Sequence, residues 1–358
     1  MLYVVGQLGC GGLERQLYYL FRAIDRQSYR PQLVVWNSAQ ADIYGAAIEA
    51  LGIRIHRLRH TSPLQKIFAL RRLVFELKPE LVHSFTFHTN FAAWWAVQGT
   101  PAVAIGAVRS DFALAKHESG PLLGRLSARW PRHQIFNSRT AAESAAGAGG
   151  LFAPSEFHVV QNAVDLQRFS YTKVSAGHPS RLIGVGSLIF VKRWDRLVRA
   201  AAQIKGMGHD IDVQIVGEGP LKGKLREQIQ ALGLADCVRL VGYREDVPEL
   251  LAQAHFLIHT SDSEGCPNVV AEAMACGRAV VATNTGDVRY LVDDGITGFL
   301  VPCADESLLV ERMRMLIATP QLCERMGQAG RVKAEKELSL DRFVNETMRI
   351  YEKVGWRR

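Results

Sequence analysis

Long hydrophobic runs are missing from this sequence of 358 residues. A membrane-spanning helix needs about 20 consecutive apolar residues, but the most apolar stretch, FAAWWAV at residues 91–97, is followed at once by Gln98. The segment after Met1, LYVVG, is too short for the hydrophobic core of a signal peptide, and it lacks the basic start of one. We therefore expect a cytoplasmic protein.

Paired cysteines are absent as well. The six cysteines contain no C-x-x-C pair and have no histidine at zinc spacing, so we expect reduced and mostly buried thiols. They are Cys10, Cys237, Cys266, Cys276, Cys303 and Cys323. Neither half of the chain has G-x-G-x-x-G after its first strand-like run, which disfavours a nicotinamide-dependent enzyme.

Positive charge is in excess, with a formal net charge of +8, but it is unevenly placed. The chain has 43 basic and 35 acidic residues. Residues 1–170 contain 18 of the basic and 11 of the acidic residues, a net charge of +7. The rest of the chain contains 25 basic and 24 acidic residues, a net charge of +1. This field suits an anionic partner, such as a phosphate-rich substrate or a lipid surface. A nucleic-acid-binding protein is the alternative from another class, but the basic residues are dispersed and no aromatic-basic run of an RNA-binding domain is present.

Short strand-like runs alternate with helix-like runs along the whole chain. The first set comprises LYVVG, PQLVVW, ELVHSF, PAVAIGAV, HQIFN and FHVVQ, and the second comprises RLIGVGS, IDVQIVG, VRLVG, AHFLIHT, AVVAT and GFLV. Such runs separated by amphipathic segments are typical of βα units, so two sets predict two doubly wound α/β domains in tandem. A polar segment at 165–181 marks the boundary. We place the domains at 1–168 and 169–340, and expect a final helix at 341–358 to pack back toward the first domain.

Four glycines follow the first strand-like run in GQLGCGGLERQL, namely Gly6, Gly9, Gly11 and Gly12. Glycines let backbone N–H groups approach an anion, and the N-terminus of the helix that begins near Leu13 adds partial positive charge. The spacing, G-x-x-G-x-G-G, is neither the dinucleotide fingerprint nor a Walker A loop. A tight turn without a ligand explains these glycines equally well.

Three further turns lie where strand-like runs of the second domain end. Lys192 follows Gly186 in VGSLIFVKRWDRL, Gly217 lies in IVGEGP, and Tyr243 and Arg244 lie in VGYREDV. Residues at the carboxyl ends of parallel strands face the crevice in which ligands of such sheets bind. The lysine can neutralise a phosphate, and a planar base can lie against the other two turns. Taken singly, a solvated lysine and ordinary turns are the simpler interpretations.

The stretch SDSEGCPNVVAEAMACG places two carboxylates, Glu264 and Glu272, around a short turn that leads into a helix. We expect Pro267 in the first helical turn, where its missing N–H has no cost. The N–H groups near Asn268 and Val269 then form an anion seat. Carboxylates at these places can accept hydrogen bonds from sugar hydroxyls that flank a bound diphosphate.

In motif order the chain resembles the retaining glycosyltransferases of family 4, which have the GT-B fold: two facing doubly wound domains with a cleft between them. The resemblance covers most of the chain and is strongest from 181 to 305. The E-x7-E signature is complete as Glu264 and Glu272, with VGEGP, PNVVAEAMACGRAVVAT and DDGITGFLVP around it. GGLER is similar to the N-terminal phosphate loop of the family. The hinge pattern of the family, PNGVD, departs here to QNAVD at 161–165, which leaves the linker assignment intact.

The resemblance implies that a sugar is transferred, with retention, from a nucleoside diphosphate sugar to a hydroxyl of a glycan or lipid-linked acceptor, in the synthesis of a cell-surface polysaccharide or glycolipid. A UDP-sugar is the commoner donor and a GDP-sugar the alternative. No cofactor and no metal are implied, because no DxD-like cluster lies in a suitable place. An epimerase acting on nucleotide sugars also has two such domains, but it would need further acid/base carboxylates. The oligomeric state stays open, and no nucleic-acid partner is expected.

The resemblance also assigns roles to residues of this sequence. Glu264 would lie near the hydroxyls of the donor sugar, Glu272 would hold the ribose, and Lys192 would contact the diphosphate. Gly11 and Gly12 would close on the same phosphates from the first domain. The implied donor-binding set comprises Gly11, Gly12, Gly186, Lys192, Arg193, Gly217, Tyr243, Arg244, Glu264, Gly265, Cys266, Pro267, Asn268, Val269 and Glu272, and the catalytic set Glu264, Lys192 and Arg109.

Two further positions depart from the pattern of the family. Ser187 stands where an arginine often follows the strand-end glycine, so Arg193 is the candidate replacement. Arg109 stands where some members have a catalytic-site histidine, and it is a candidate contact to phosphate or sugar. His83 and His88 are candidates for contacts with the acceptor or the donor sugar, although a histidine satisfied within the fold is the more frequent outcome.

Two basic amphipathic segments bear on the acceptor. SPLQKIFALRRLVFELKP at 62–79 predicts a helix with Ser62 as N-cap and Pro63 in its first position, and PLLGRLSARWPRH at 121–133 has a similar mixture. Such a helix lies on an anionic bilayer, or it faces the core with a solvated cationic rim. The first alternative predicts a peripheral contact at the inner face of the membrane and a lipid-linked acceptor.

Overall fold

The framework of the computed structural model, which describes residues 1–9, 11–38, 42–59, 61–148, 152–174, 177 and 179–356, is two sheets of parallel strands. The sheets belong to two units, one formed by Met1–Ala163 with Leu340–Arg358 and the other by Val164–Ser339. Each connection between parallel neighbours needs a crossover, and helices supply it. The predicted fold class, an α/β protein with two doubly wound domains, is confirmed.

The first unit contains a seven-stranded sheet in the order β3-β2-β1-β4-β5-β6-β7. Its strands are β1 (Leu2–Val5), β2 (Gln32–Val35), β3 (Arg54–Arg57), β4 (Leu81–Ser84), β5 (Val103–Val108), β6 (His133–Phe136) and β7 (Glu156–Val159). Its helices are α1 (Gly12–Ala23), α2 (Gly45–Ala50), α3 (Pro63–Leu77), α4 (Asn90–Val97), α5 (Phe112–Glu118), α6 (Leu123–Arg129) and α7 (Arg139–Ala148).

Apolar cores cover both faces of this sheet. Successive side chains of a strand point to opposite faces, and β1 therefore contributes Tyr3 and Val5 to one core and Leu2 and Val4 to the other. The first core packs against α1, and the second against α3 and α4. Covering on both faces explains why β1 and β4 are buried along their whole length.

The second unit contains a six-stranded sheet in the order β10-β9-β8-β11-β12-β13. Its strands are β8 (Ser180–Val185), β9 (Ile211–Val216), β10 (Val238–Gly242), β11 (Phe256–His259), β12 (Ala279–Thr283) and β13 (Gly298–Val301). Its helices are α8 (Trp194–Gly206), α9 (Lys222–Ala231), α10 (Val247–Gln253), α11 (Asn268–Ala275), α12 (Val288–Leu291), α13 (Glu306–Ala318) and α14 (Pro320–Glu337). This unit also has a core on each face of its sheet.

The last helix, α15 (Leu340–Lys353), belongs to the first unit although it follows the second unit in sequence. Phe343, Met348 and Tyr351 enter the core that also contains β1 and α1. Beyond the helix, the indole N–H of Trp356 donates to Glu80 at 2.9 Å. The apolar contacts and this hydrogen bond keep the end of the described chain on the first unit.

The boundary between the units falls between Ala163 and Val164 rather than after residue 168 as predicted. The side-chain amide of Gln16, on α1, donates to the carbonyl of Ala163 and accepts from its N–H, both at 2.8 Å. One residue later, the N–H of Val164 donates to the carbonyl of Leu338, and its side chain enters the core of the second unit. The boundary thus lies within QNAVD. Residues 175, 176 and 178 of the segment expected as the linker lie outside the described residues.

Strand order reverses once in each sheet, next to β1 and β4 in the first unit and next to β8 and β11 in the second. Loops that leave the carboxyl ends of such neighbouring strands diverge to opposite faces and leave a crevice between them. The glycine loop follows β1, and the loop of His88 follows β4. In the second unit Lys192 follows β8, and Glu264 follows β11.

Two further features concern the described residues alone. Among their helices, none combines the length and the apolar character that crossing a bilayer requires. The five described cysteines form no disulfide with one another, and Cys237, Cys276 and Cys323 are buried. Cys10 lies outside the described residues.

Candidate active site

Glu264 is the centre of a hydrogen-bonded cluster in the second unit. Its Oε1 lies 2.5 Å from Nζ of Lys192, 2.6 Å from Oγ of Ser261 and 3.0 Å from Nε2 of His259. Lys192 lies on the loop after β8, His259 is the last residue of β11, and Ser261 and Glu264 lie on the loop that follows. All three contacts converge on one oxygen of the carboxylate, so its orientation is fixed from three directions.

The cluster keeps Glu264 ionised. Burial would raise the pKa of this carboxyl, but the hydrogen bond and charge of His259 and the charge of Lys192 outweigh it and lower the pKa to about 2. The side chains of Glu264 and Lys192 are 12% and 21% exposed, so each retains some access to a ligand. The cluster can therefore present a hydrogen-bond acceptor for a hydroxyl beside a cation for a phosphate.

Arg193, beside Lys192, is paired with carboxylates of the protein. Its guanidinium donates to Asp195 at 3.1 and 3.2 Å and to Asp262 at 2.7 Å. That Arg193 replaces the phosphate-contacting arginine of the family stays a prediction, because Lys192 is likewise paired with a carboxylate of the protein and the two side chains are similarly exposed, at 22% and 21%. In this geometry Arg193 holds the turn that carries Lys192.

Backbone and side-chain contacts join the loop after β8 to the loop after β11. The N–H of Asp262 donates to the carbonyl of Val191, and the hydroxyl of Thr260 donates to the carbonyl of Lys192, both at 2.9 Å. Arg196, whose side chain is 5% exposed, donates to the carbonyl of Thr260 and to the carboxylate of Asp262, again at 2.9 Å. These contacts fix the spacing between Lys192 and Glu264 before any ligand binds.

The second acid of the predicted pair, Glu272, lies in α11 and is only 5% exposed. Pro267 is the N-cap of this helix, so Asn268 rather than the proline occupies the first helical position. Gly277 follows the helix with a φ of +74°, the left-handed conformation that commonly ends one. The carbonyl of Gly265, between the two acids, accepts from the N–H of Asp287 at 2.8 Å.

The two remaining turns of the predicted donor site lie at the ends of β9 and β10. Gly217 has a φ of +146°, and a Cβ there would collide with the carbonyl of Gly186, so close packing of the two turns requires a glycine. Tyr243 is 61% exposed, and its ring is accessible to a planar base. Arg244 is paired with Asp246 on the surface.

In the first unit a crevice of about 260 Å³ lies beside the ends of β4 and β5. It is lined by Leu13, Thr86, Phe87, His88, Arg109, Ser110, Ala115, Glu118 and Ser119. The N–H of Gly6 donates to Oγ1 of Thr86 at 2.8 Å, and a Cβ on Gly6 would lie 2.8 Å from Cε1 of His88. The glycine loop therefore packs directly on the loop of His88. Gly11 and Gly12 are the N-cap and the first residue of α1, immediately before Leu13.

His88 and Arg109 come together in this crevice, where the sequence predicts a ligand contact for each. Burial, and then the charge of Lys66, lowers the pKa of His88 below its ordinary value, so the ring is neutral at pH 7. Its Nε2 is buried and has no hydrogen-bond partner within the described part of the chain. The guanidinium carbon of Arg109 lies 4.0 Å from the ring centroid of Phe85, which orients the side chain.

His83 lies in the core rather than at this crevice. It is 0% exposed, and its Nδ1 lies 2.6 Å from the hydroxyl of Tyr351. Burial, followed by the charge of Arg109, lowers its pKa well below the ordinary value. The structure thus corrects the prediction that His83 contacts the acceptor or the sugar, because the ring is enclosed in the core with its Nδ1 paired to Tyr351.

Sequence reasoning missed His259 and Ser261. Both precede the acid pair in HTSDSEG, and their position at the end of a strand next to the order reversal was the only available signal. Metal ligands do not gather beside them: in the parts of the chain that are described, no three His, Cys, Asp or Glu side chains could hold a metal ion. Lys192 lies in the cluster of the second unit, and Arg109 lines the crevice of the first.

Family models match both halves of the chain. The model described as Glycosyltransferase Family 4 matches residues 10–168, and the model described as Glycosyl transferases group 1 matches residues 172–333. The chain belongs to family 4 of the glycosyltransferases, as its motifs predicted.

Individual relatives match over shorter stretches. Alpha-D-kanosaminyltransferase of Streptomyces kanamyceticus is 28% identical over 173 residues, which cover 48% of this chain and 45% of that protein. The putative colanic acid biosynthesis glycosyltransferase WcaL of Salmonella typhimurium is 32% identical over 169 residues, which cover 45% of this chain and 42% of that protein. The matched region therefore spans less than half the length of these relatives.

Solved structures match over nearly the whole chain. Anabaena HepE in complex with UDP superposes with a TM-score of 0.83 at 18% identity, and the match covers 98% of this chain and 99% of HepE. The apo form of the lipopolysaccharide outer core galactosyltransferase WaaB has a TM-score of 0.79 at 16% identity, with 98% and 99% covered. At these identities the likeness shows a shared fold, and the GT-B class that the sequence predicted is confirmed.

Proposed function

We propose that this chain is a retaining glycosyltransferase that moves a sugar from a nucleoside diphosphate sugar to a hydroxyl of a glycan or lipid-linked acceptor, in the synthesis of a cell-surface polysaccharide or glycolipid. Its relatives support the class of reaction, since one is a kanosaminyltransferase and another is named for colanic acid biosynthesis. HepE, which shares the fold, has been solved with UDP and with UDP-glucose. We therefore favour a UDP-sugar as donor, with a GDP-sugar as the alternative.

The observation that carries the proposal is the cluster on Glu264. Three donors, one of them a lysine, hold this carboxylate in place. Their hydrogen bonds offset the cost of removing the carboxylate from water, so the site is already organised before a substrate binds. A diphosphate can take Lys192 as its counter-ion. The carboxylate then accepts hydrogen bonds from hydroxyls of the sugar that the diphosphate carries.

The remaining donor contacts follow from the elements around this cluster. We assign the ribose to Glu272, on α11, and phosphate oxygens to the N–H groups of Asn268 and Val269 at the start of the same helix. The base lies against the turns of Gly217 and Tyr243. Gly265, Cys266 and Pro267 connect the two acids, and Gly186 provides the close approach of backbone.

The chemical step is a front-face substitution. The acceptor hydroxyl oxygen forms a bond to the anomeric carbon while the bond from that carbon to the diphosphate oxygen breaks. The departing diphosphate oxygen takes the proton of the hydroxyl. Because the hydroxyl attacks from the face that the diphosphate leaves, the anomeric configuration is retained. Lys192 and the backbone N–H groups stabilise the charge that develops on the leaving group, and no metal takes part.

In the first unit we assign the acceptor side to the crevice of His88 and Arg109. The neutral ring of His88 can accept or donate a hydrogen bond, depending on its tautomer, and Arg109 supplies a positive charge. Gly11 and Gly12, at the N-terminus of α1, are proposed as backbone contacts for an anion. The enzyme would work in the cytoplasm, in peripheral contact with the inner face of the membrane.

Thermal-shift measurements with UDP, GDP, ADP and their sugar conjugates test the proposal. A ligand at 100 times its dissociation constant adds about 2.7 kcal/mol of stability, so one nucleotide should raise the unfolding temperature of the wild type measurably. The rise should be much smaller for Glu272→Ala, and unchanged for Glu227→Ala, an exposed acid on α9.

Each alternative outcome contradicts a stated part of the proposal. If no nucleotide stabilises the folded wild type, the donor site is misassigned. If the nucleotide stabilises Glu272→Ala as much as the wild type, the ribose is not at Glu272. Inversion at the anomeric carbon, detected by NMR of the product, would exclude the front-face step, and loss of activity in EDTA would exclude metal-independent transfer.

A further inference from the structure

The outward face of α3 is apolar. The helix buries Leu70 and Val74 in the core of the first unit, but Leu64, Phe68 and Phe75 are 66%, 61% and 46% exposed. A helix that only covers a core carries polar residues on its opposite face. α3 therefore has a second apolar face besides the one that packs on the sheet.

The neighbouring helix α4 directs its largest side chains away from the core. Its three alanines, Ala92, Ala93 and Ala96, are buried, whereas Phe91, Trp94 and Trp95 remain part-exposed. Burying the aromatic rings instead would have removed far more apolar area from water. The outward arrangement keeps three large rings available to something other than the core.

These rings form a continuous surface across α3, α4 and the end of α6. Phe68 packs edge-on against Trp95, with the ring centroids 5.2 Å apart, and Trp94 stacks on Trp130 at 4.8 Å. Phe91 lies 5.6 Å from Trp94. We call the set of Phe68, Phe75, Phe91, Trp94, Trp95 and Trp130 the aromatic surface.

The distribution of tryptophan sets this surface apart. Three of the six tryptophans of the chain lie in it and stay part-exposed. The other three, Trp36, Trp194 and Trp356, are buried, with 6%, 2% and 6% exposed. Tryptophan on a protein surface is concentrated where one side of the ring meets an apolar phase and the N–H stays wet.

Arginines accompany the aromatic rings. The guanidinium carbon of Arg71 lies 4.8 Å from the ring centroid of Trp95 and 4.9 Å from that of Phe75, which holds the charge at the level of the rings. Arg72 and Arg125 are exposed nearby, and Arg129 lies over the ring of Trp130. The sequences of α3, α4 and α6 together contain five Lys and Arg and one acid, Glu76.

We propose that the aromatic surface docks the protein on an anionic lipid bilayer. The rings would enter the headgroup region, and the arginines would contact lipid phosphates. The charge decides for a bilayer over a protein partner, since the helices are almost purely basic and residues 1–170 carry a net charge of +7. The lipid-linked acceptor is the only part of this proposal that rests on the proposed function. Membrane docking itself is independent of it, because vesicle binding is measured without a sugar donor and without a transfer reaction.

Vesicle co-sedimentation of the full chain tests the docking. The wild type should partition onto phosphatidylcholine vesicles that contain about 30 mol% phosphatidylglycerol, and far less onto phosphatidylcholine alone. Phe68→Ser combined with Phe75→Ser should weaken the partition about tenfold or more. Salt at about 1 M should weaken wild-type binding as well, because lipid charge is then screened.

Ile296→Ser combined with Val332→Ser is the matched control. These residues are 62% and 64% exposed, against 61% and 46% for Phe68 and Phe75, and they lie in the second unit. The control should bind vesicles like the wild type. The unfolding temperatures of both double variants show whether each remains folded. We expect both to fold, because the substituted side chains are exposed.

Tryptophan fluorescence gives a readout that locates the contact. Lipids with brominated acyl chains should quench the tryptophan fluorescence of the wild type on binding. Trp94→Phe should reduce the quenched fraction while vesicle affinity changes little, because phenylalanine keeps most of the apolar ring.

Failure of the wild type to bind anionic vesicles would overturn the proposal. Dimerisation that the Phe68→Ser, Phe75→Ser pair abolishes, without vesicle binding, would identify the surface as a contact between copies of this chain. Nucleotide stabilisation that persists in either case would leave the donor site intact.

Discussion

At the scale of single residues, three donors on one carboxylate oxygen determine how Glu264 can act. Lys192 brings charge, whereas His259, 2% exposed, brings a donor that cannot move without disturbing β11. Because His259 would not touch the substrate, its role is to position Glu264. A carboxylate fixed in this way leaves less orientational freedom to be lost when a sugar binds.

His259 offers a direct test of positioning. His259→Ala should lower kcat by about ten- to a hundredfold, because small displacements of a catalytic group have effects of this size. KM for the donor should change little, since Lys192 still meets the diphosphate. His259→Gln should restore much of kcat, because its Nε2 can donate from nearly the same place. Steady-state kinetics measures both constants, and equal losses in the two variants would contradict a positioning role.

The ionised state of Glu264 predicts a pH dependence of stability. Its pKa is about 2 in the folded protein against an ordinary 4.5, so the folded state binds fewer protons. The resulting stabilisation is fully present above pH 4.5 and is lost as the pH falls toward 2. At neutral pH it amounts to at most about 3 kcal/mol.

Glu264→Gln removes this titration while keeping the shape of the side chain. Urea unfolding between pH 7 and the acid limit should show the wild type more stable at neutral pH, with the difference shrinking below pH 4.5. A difference that stays constant over that range would mean that Glu264 is not held ionised by its neighbours.

At the scale of elements, loops that leave different strands are tied together by buried charge. Arg196, on α8, joins the end of β11 through Thr260 and Asp262 and reaches Glu306 on α13 at 3.9 Å. Arg239, by contrast, pairs with Asp212 at 2.7 Å, and its side chain is 54% exposed. The two arginines therefore differ in what their removal leaves behind.

Arg196→Met should destabilise the second unit by about 1–3 kcal/mol, because the carbonyl of Thr260 loses its buried donor and Asp262 keeps only Arg193 of its two arginine partners. Arg239→Met should cost less than about 1 kcal/mol, as expected for an exposed pair. Chemical denaturation of the three proteins gives the comparison. Equal losses would show that burial of the Arg196 network contributes nothing beyond surface pairing.

The same scale shows what pattern alone could predict. Twelve strands were found from their apolar runs, but β3 was missed, because RIHR has exposed ends and only half-buried central residues. It is a strand because β2 offers it an unpaired edge. The apolar face of α3 that meets the core follows from its sequence, whereas the outward rings of α4 do not, because all sides of that helix are apolar in sequence.

At the scale of the whole molecule, each core belongs to one unit. The core that contains α15 holds only residues of the first unit, and His83 within it meets the hydroxyl of Tyr351. The cores of the second unit run from Val164 to Leu338. Separate cores predict unfolding in two steps.

Tyr351→Phe should lower the unfolding temperature of the first unit alone. It removes the partner of a buried histidine nitrogen, which costs about 1–3 kcal/mol. A donor nucleotide should raise the transition of the second unit, in which Lys192, Glu264 and Glu272 lie. Differential scanning calorimetry resolves the two transitions. The control, measured without ligand, is Tyr243→Phe, which removes a hydroxyl from an exposed ring and should leave both transitions in place. A single transition that moves with both changes would contradict independent unfolding.

The sequence by itself determined the two α/β domains, the family and the positions of Glu264, Glu272 and Lys192, because apolar periodicity and motif spacing are local properties of the chain. Only the tertiary structure decided that Lys192 meets Glu264 across 72 positions, that Arg193 is held by Asp195 and Asp262, and that His83 is buried. The physical reason is that hydrogen bonds, burial and pKa depend on which side chains converge in space. Strand order determines which loops meet at the end of a sheet, and strand order cannot be obtained from any single segment of the sequence.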